Sequence, residues 1–166
     1  MIKAYKRMQL LNKAASFTSN IQDLRCIYLT YIRSVLEQSA VVWHSSLTYK
    51  NRKDLERVQK AALRVILKSR YSNYKSALEI LRIETLEKRR EVLCLRFAKN
   101  CLKNSKVKNF FPEKKQLHNM KKRKMKKFKV NKAFTKRYSK TSIPFMQKML
   151  NEDNDLLASS MKCNGS

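Results

Sequence analysis

Glycine and proline are almost missing from this chain, and their scarcity constrains its fold more than any other feature. The 166 residues include one glycine, Gly165, and two prolines, Pro112 and Pro144. β-Hairpins and the short loops of α/β folds usually need more of both residues, because their turns require positive or fixed φ angles. The sequence therefore predicts an all-α fold.

Apolar residues recur at helical spacing through the first 104 residues. A first helix is predicted over residues 2–16, and a second begins at Ile21 and ends near Trp43. A third follows a polar connection, with Asn51 as its N-cap. A short helix is predicted over residues 74–81 and a longer one from about Thr85. The inner face of that longer helix is expected to carry Leu86, Leu93, Phe97 and Cys101.

Beyond Asn104 the apolar periodicity fades while lysine becomes frequent. A segment of that composition buries too little apolar surface to offset the entropy of ordering it. Two regions are predicted: a domain of four to five helices over residues 1–104, and a basic, largely extended and partly disordered tail over 105–166. Pro144 is suited to the first turn of one short helix over residues 143–151.

The formal net charge of +27 is far larger than solubility requires. Residues 105–150 alone hold 16 Lys and Arg against one acidic residue. A polyanion is the simplest partner for such a chain, nucleic acid before membrane. Because no stretch approaches the roughly 18 apolar residues of a membrane span, no membrane partner is expected.

The third helix divides into two faces when its residues are projected at about 100° per residue. One face carries the apolar residues Leu55, Val58, Ala62, Val65 and Ile66. The opposite face carries a cationic ridge, which consists of Lys53, Arg57, Lys60, Arg64 and Lys68. Cations spaced by three and four residues can follow the phosphates of a nucleic acid. The alternative is an ordinary solvated face, although Glu56 is the one acid between Leu55 and Ser69.

A second basic cluster lies in the tail and is called the basic arm. It is the run Lys121, Lys122, Arg123, Lys124, Met125, Lys126 and Lys127. Such a heptamer is typical of a nuclear-import signal or of a nucleic-acid contact. Phe128, Phe134 and Tyr138 follow it, and they either stack on unpaired bases or act as partly buried anchors.

Catalytic and metal-binding patterns are not indicated. Polymerase chemistry needs paired aspartates that hold two metal ions, and no Tyr-x-Asp-Asp sequence occurs. The acids Glu152, Asp153 and Asp155 lie in a polar stretch without a strand pattern. Cys94 and Cys101 lie two helical turns apart, too far for one zinc ion together with His118. No enzyme activity, cofactor, metal or small-molecule substrate is expected, and the scattered cysteines favour a reducing intracellular environment.

Several blocks of the sequence resemble one family. They are Ile27-Tyr28, Tyr31 to Glu37, Val42-Trp43, Leu55 to Lys60, Leu63 to Ile66, Ala77 to Leu81, Leu86 to Arg90 and Leu93 to Leu95. In that order they resemble the segment that follows the polymerase palm in jockey-type non-LTR retrotransposon reverse transcriptases. The family usually has a tyrosine and a small residue after Leu36-Glu37, where this chain has Gln38-Ser39.

The resemblance implies a thumb or connection region of an RNA-directed DNA polymerase, which supports template-primer binding without catalysis of its own. Its implied partners are RNA, DNA or a hybrid, and the palm of a parent polymerase, and its implied location is the nucleus. Two alternatives stay open. One is a stand-alone nuclear protein with a helical interaction module, and the other is a degenerate retroelement remnant without selected activity.

Overall fold

The structure is a computed structural model and describes residues 2–113, 127–132 and 134–163. The expected all-α fold is confirmed. Within those ranges the β-type pairing is one isolated bridge between Glu113 and Phe128.

The helices follow one another with short connections. α1 spans Ile2–Phe17, α2 spans Ile21–Ile27, a π-helical turn covers Tyr28–Ile32, and α3 spans Arg33–Glu37. The chain continues through α4 (Ala40–Trp43), α5 (Tyr49–Leu67), α6 (Tyr74–Leu81) and α7 (Leu86–Lys103). The last described helices are α8 (Lys136–Ser139) and α9 (Ser142–Cys163), so α9 extends well beyond the short helix expected over 143–151.

The second predicted helix is interrupted before Trp43. Residues 21–37 keep helical dihedral angles through the π-helical turn, but the ψ angle of Gln38 is 123° and the φ angle of Ser39 is 53°. The prediction of one helix ending near Trp43 is therefore wrong, and α4 is a separate short helix. The break falls at Gln38-Ser39.

Among the described residues, Ser39, Lys68 and Arg82 are the non-glycine residues with positive φ angles. Each follows a helix, where the chain must leave the helical path and where glycine is usually preferred. Arg82 has the left-handed helical conformation, with φ 51° and ψ 51°, which costs a residue with a Cβ atom roughly 1–2 kcal/mol. Compact helical packing is therefore reached here without glycine at these helix ends.

The chain packs into two compact units, and the first comprises Met1–Ala40 with Leu47–Glu91. Its core combines residues of α1 and of the helical segment 21–37 with the inner faces of α5 and α6. Leu11, Leu24, Ile32 and Leu63 are fully buried there. This core fixes α5 and leaves one of its faces exposed.

The second unit comprises Val41–Ser46 and the described residues from Val92 onward. Cys94, Ala98, Phe111, Phe128, Met146 and Leu150 are among the buried residues of its separate core. The sequence placed a boundary at residue 104 and an extended tail beyond it. In the structure, part of that tail belongs to a core. Phe111, Phe128 and α9 contribute apolar residues to it that lie far apart in the sequence, so local periodicity does not show them.

The inner face of α7 differs from the expected one. Leu86, Arg90, Cys94 and Ala98 are buried, whereas Phe97 is 48% exposed. The buried residues follow a spacing of four from Leu86, so the face is rotated relative to the prediction. Placing Phe97 on the inner face was wrong, because the apolar residues of α7 extend around more than one side of the helix.

Candidate nucleic-acid interface

α5 positions the candidate interface, and its N-terminus is capped by Thr48. The Thr48 hydroxyl accepts a hydrogen bond from the backbone N–H of Asn51 at 3.3 Å. Asn51 therefore lies inside the first turn, and its predicted role as N-cap was wrong. Thr48 and Asn51 are both acceptable cap residues. Tyr49 and Lys50 are already helical, so the cap is the earlier residue, Thr48.

The buried face of α5 turns the cationic ridge toward solvent. Val58, Ala62 and Ile66 are buried as expected, together with Gln59, Leu63 and Leu67. All five ridge residues are exposed. From Lys53 to Arg64 the helix rises about 16 Å, and the phosphates of one strand advance roughly 3.4 Å per step along a duplex. The helical part of the ridge therefore spans a rise of about five base-pair steps along a duplex axis.

Three ridge cations lie over tyrosine rings. The Nζ atom of Lys53 lies 4.4 Å from the centre of the Tyr49 ring. Lys60 Nζ lies 4.9 Å from the Tyr74 ring centre, and the guanidinium carbon of Arg64 lies 5.3 Å from that of Tyr71. A cation above an aromatic face is held without an acidic partner. These contacts orient the three cations and leave their charge uncancelled.

The other two ridge residues have different surroundings. Arg57 pairs with Asp54 at 2.8 Å, yet its side chain is 70% exposed. Lys68 follows the last residue of α5, and its Nζ atom donates to the Ala15 carbonyl at 2.7 Å. Because the helix ends at Leu67, Lys68 is directed to the end of α1. Four cations, Lys53, Arg57, Lys60 and Arg64, make up the helical part of the ridge.

An open pocket of about 590 Å³ lies beside the ridge. Lys53, Arg57 and Lys60 contribute to its lining, and so do Arg52 and the rings of Tyr49 and Tyr74. Four positive charges therefore surround this volume against the two carboxylates of Glu56 and Glu87. The pocket adds Arg52 to the cationic surface, and its position one residue before Lys53 gave no sign of that role.

The two carboxylates of the pocket are engaged within the protein. Glu56 accepts hydrogen bonds from the Tyr74 hydroxyl and from the backbone N–H of Glu87, the latter at 2.9 Å. Glu87 itself pairs with Arg52 at 2.8 Å. Hydrogen bonding to Glu56 and burial raise the pKa of Tyr74, with burial the larger cause. Glu56 therefore joins α5 to α6 and to the first turn of α7.

A buried polar network supports α5 from its inner side. The Tyr28 hydroxyl donates to Gln59 Oε1 at 2.8 Å, and Gln59 Nε2 donates to the Glu84 carbonyl at 2.9 Å. Burial raises the pKa of Tyr28. In the Leu55 to Lys60 block, Glu56 and Gln59 thus hold the scaffold together, whereas Arg57 and Lys60 are exposed. Within this block, some polar residues therefore stabilise the fold and others are available to a ligand.

Arg90 is the buried cation that the sequence did not identify. Its side chain is fully buried on the inner face of α7, and burial lowers its pKa while the nearby charges of Glu56 and Glu87 oppose that change. Its position four residues after Leu86 was the available signal, because residues four apart share one face of a helix.

The basic arm lies largely outside the described residues, which include none of Lys121, Lys122, Arg123, Lys124 and Lys126. Lys127 is described, and its Nζ atom lies 3.8 Å from a carboxylate oxygen of Glu113. Phe128, the next residue, is 1% exposed, so it is an anchor. Phe134 and Tyr138 are 94% and 39% exposed, which leaves these two aromatics available to a ligand.

The cysteines and acidic residues considered as metal or catalytic candidates have structural surroundings. Cys94 and Cys101 belong to the apolar core of the second unit, where burial raises the pKa of the Cys101 thiol, and His118 is outside the described residues. Asp153 forms an ion pair with Lys99 at 2.8 Å. No group of three potential metal ligands occurs in the described part of the chain.

Among the described helices, none is both long and apolar enough to cross a bilayer. Comparison of the chain with protein-family models, with curated proteins and with solved structures found no match.

Proposed function

We propose that this chain binds nucleic acid through the exposed face of α5, where the helical part of the ridge contacts phosphates without reading sequence. The observation that carries the proposal is the four exposed cations at spacings of four, three and four residues along one rigid helix. Phosphate contacts of this kind give affinity rather than base selectivity. Arg52 lies at the neighbouring pocket, where it pairs with Glu87.

The electrostatics of the face support a polyanionic ligand. The acids near the ridge have partners within the protein. Glu56 bonds to Tyr74 and to the first turn of α7, and Glu87 pairs with Arg52. Asp54 pairs with the ridge residue Arg57, which stays 70% exposed. Tyrosine rings position three of the ridge cations. Ordering these long side chains before binding lowers the entropic cost of each phosphate contact. A solvated face without a ligand needs neither arrangement.

The wider proposal follows the resemblance described above. The chain would be the C-terminal, post-palm region of a jockey-type non-LTR reverse transcriptase, which supports template-primer binding without catalysis of its own. Its partners would be RNA, DNA or a hybrid, together with the palm of a parent polymerase. Its place would be the nucleus, with the basic arm as import signal and additional phosphate contact. The support for this proposal is the order of the sequence blocks and the charge.

Charge reversal on the ridge tests the binding proposal. Arg57→Glu combined with Arg64→Glu should weaken binding to a mixed-sequence duplex by about tenfold or more, because two phosphate contacts become repulsive. The matched control is Lys6→Glu with Lys13→Glu, which makes the same change in net charge at the same seven-residue spacing on exposed positions of α1. Circular dichroism should show unchanged helicity in both variants.

Equal affinity of the ridge variant and the α1 control would mean that net charge, and not the ridge, determines binding. That result would mean that the exposed face of α5 is an ordinary solvated face, and it would favour a stand-alone helical interaction module. A third variant, Val58→Asp, buries an unpaired charge in the core and should lose helicity. This variant serves as the reference for loss of binding caused by unfolding, measured by the same binding titration and circular dichroism.

A further inference from the structure

The second unit has an open pocket that the sequence alone does not reveal. It has a volume of about 670 Å³, and its lining includes Phe134, Tyr138, Lys129, Lys132 and Asn131. Single exposed apolar side chains are common and need no explanation. Here, however, a phenyl ring that is 94% exposed and a second aromatic ring share one concave volume with two lysines.

Buried amides of α9 hold the segment that forms one wall of this pocket. Asn151 accepts a hydrogen bond from the Phe128 N–H at 2.9 Å and donates to the Phe128 carbonyl at 3.1 Å. Gln147 accepts from the Asn131 N–H at 2.9 Å and donates to the Phe110 carbonyl at 2.7 Å. Both amides are buried, so the backbones of Phe128 and Asn131 are attached to a core, and the Lys129 N–H donates to the Pro112 carbonyl at 2.9 Å.

Local hydrogen bonds fix another part of the lining. The Thr135 hydroxyl caps α8 by accepting from the Tyr138 N–H at 3.1 Å. Asn131 Nδ2 donates to the Tyr138 hydroxyl at 3.3 Å, which joins the two parts of the lining. Tyr138 is thus held in place while 39% of it stays exposed. The lining is therefore held in place at Asn131, Thr135 and Tyr138.

The ring of Phe134 differs from the tyrosine rings beside the ridge. The Tyr49, Tyr71 and Tyr74 rings each have a cation above one face. At 94% exposure, both faces of the Phe134 ring are open to solvent. An open aromatic face beside cations is the arrangement with which proteins bind unpaired bases, since the ring stacks on the base and the cations contact the flanking phosphates.

We propose that this pocket binds an unpaired base of single-stranded nucleic acid. Phe134 stacks on the base, Tyr138 bounds it from the side, and Lys129 and Lys132 contact the phosphates on either side of the nucleotide. Stacking on Phe134 tolerates every base, so the site selects single strands over duplexes without reading sequence. This inference rests on the proposed function for its ligand class and names a second, strand-selective site within it.

The test compares full-length variants on single-stranded RNA, single-stranded DNA and a blunt duplex, each of about 16 nucleotides so that one site is covered. Phe134→Ala should weaken binding to single strands by roughly 5- to 150-fold, the usual loss for one stacked base. Its affinity for the duplex should stay within about twofold of the unaltered chain. The two single-stranded ligands show whether RNA or DNA is preferred.

Phe17→Ala is the matched control, because Phe17 is 90% exposed at the end of α1 and lies outside the pocket. It should leave all three affinities unchanged. Phe134→Trp should retain single-strand affinity, and its added indole fluorescence, measured against the unaltered chain with its single Trp43, should be quenched by the oligonucleotide. Quenching reports direct stacking, which a merely structural role of Phe134 would not produce.

The outcomes separate the two proposals. Equal single-strand affinities for Phe134→Ala and Phe17→Ala, with the ridge variant still impaired, would overturn the pocket and leave the ridge intact. A loss of Phe134→Ala binding to anionic vesicles, with oligonucleotide binding unchanged, would assign the pocket to a membrane surface and overturn it as well. Failure of the unaltered chain to bind any of the three nucleic acids would overturn both proposals.

Discussion

Glu56 is the residue whose removal should most disturb the scaffold behind the ridge. Its carboxylate accepts a hydrogen bond from the Tyr74 hydroxyl on α6 and another from the Glu87 N–H in the first turn of α7. Burial lowers the pKa of Arg90, and the charge of Glu56 opposes that change. Glu56→Ala deletes all three interactions and leaves the donors in a partly buried environment.

The size of the effect follows from those contacts. Hydrogen bonds to a charged acceptor contribute about 1.5 kcal/mol each at the lower end of the usual range, which suits partly buried groups, so two bonds give about 3 kcal/mol. For a chain of this size, each kcal/mol lowers Tm by roughly 2–4 °C, which gives a fall of roughly 6–12 °C. Glu56→Gln keeps an acceptor oxygen and should lose about half as much.

Thermal unfolding followed by circular dichroism measures this effect. The matched control is Glu79→Ala, which removes an exposed glutamate from α6 and should change the free energy of unfolding by no more than about 0.5 kcal/mol. A Tm for Glu56→Ala within experimental error of the Tm for Glu79→Ala would refute the assignment of Glu56 as the link between α5, α6 and α7.

Two further predictions concern alkaline stability and localisation. Burial raises the pKa of Tyr28 and of Tyr74 above the unfolded value of about 10, so the stability they contribute is complete below that pH and lost as pH rises above it. Above about pH 10, the free energy of unfolding measured with urea should therefore fall less steeply with pH for Tyr28→Phe than for the unaltered chain. The same slope in both proteins would contradict a buried Tyr28 hydroxyl. Replacing Lys121 to Lys124 with alanine should release a fluorescent fusion too large for passive entry from the nucleus, and continued nuclear accumulation would refute the import role.

Local patterns predicted the helices that begin and end with local signals. α6 lies at the predicted residues, because Asn73 caps it and its apolar residues repeat at helical spacing. The exposure of the ridge also followed from the helical projection. The role of Lys68 did not, since the end of α5 at Leu67 and the contact with Ala15 depend on packing.

Long-range contacts account for what the sequence did not disclose. Phe128 is buried because Asn151 pairs with its backbone from 23 residues away, and a lysine-rich local composition contains no sign of that contact. Arg90 is buried on the inner face of α7, where burial lowers its pKa and the charge of Glu56 on α5 opposes that change. The break at Gln38-Ser39 occurs without glycine or proline, so the usual signals of a helix end were missing there.

The salt dependence of binding tests the central claim most directly. If the ridge and neighbouring cations make about six phosphate contacts, a plot of log affinity against log salt concentration on duplex DNA should have a slope of roughly −5. Arg57→Glu with Arg64→Glu should reduce its magnitude by about 2, whereas Lys6→Glu with Lys13→Glu should leave it unchanged. A slope near zero, or the same slope in all three proteins, would contradict phosphate binding by the ridge.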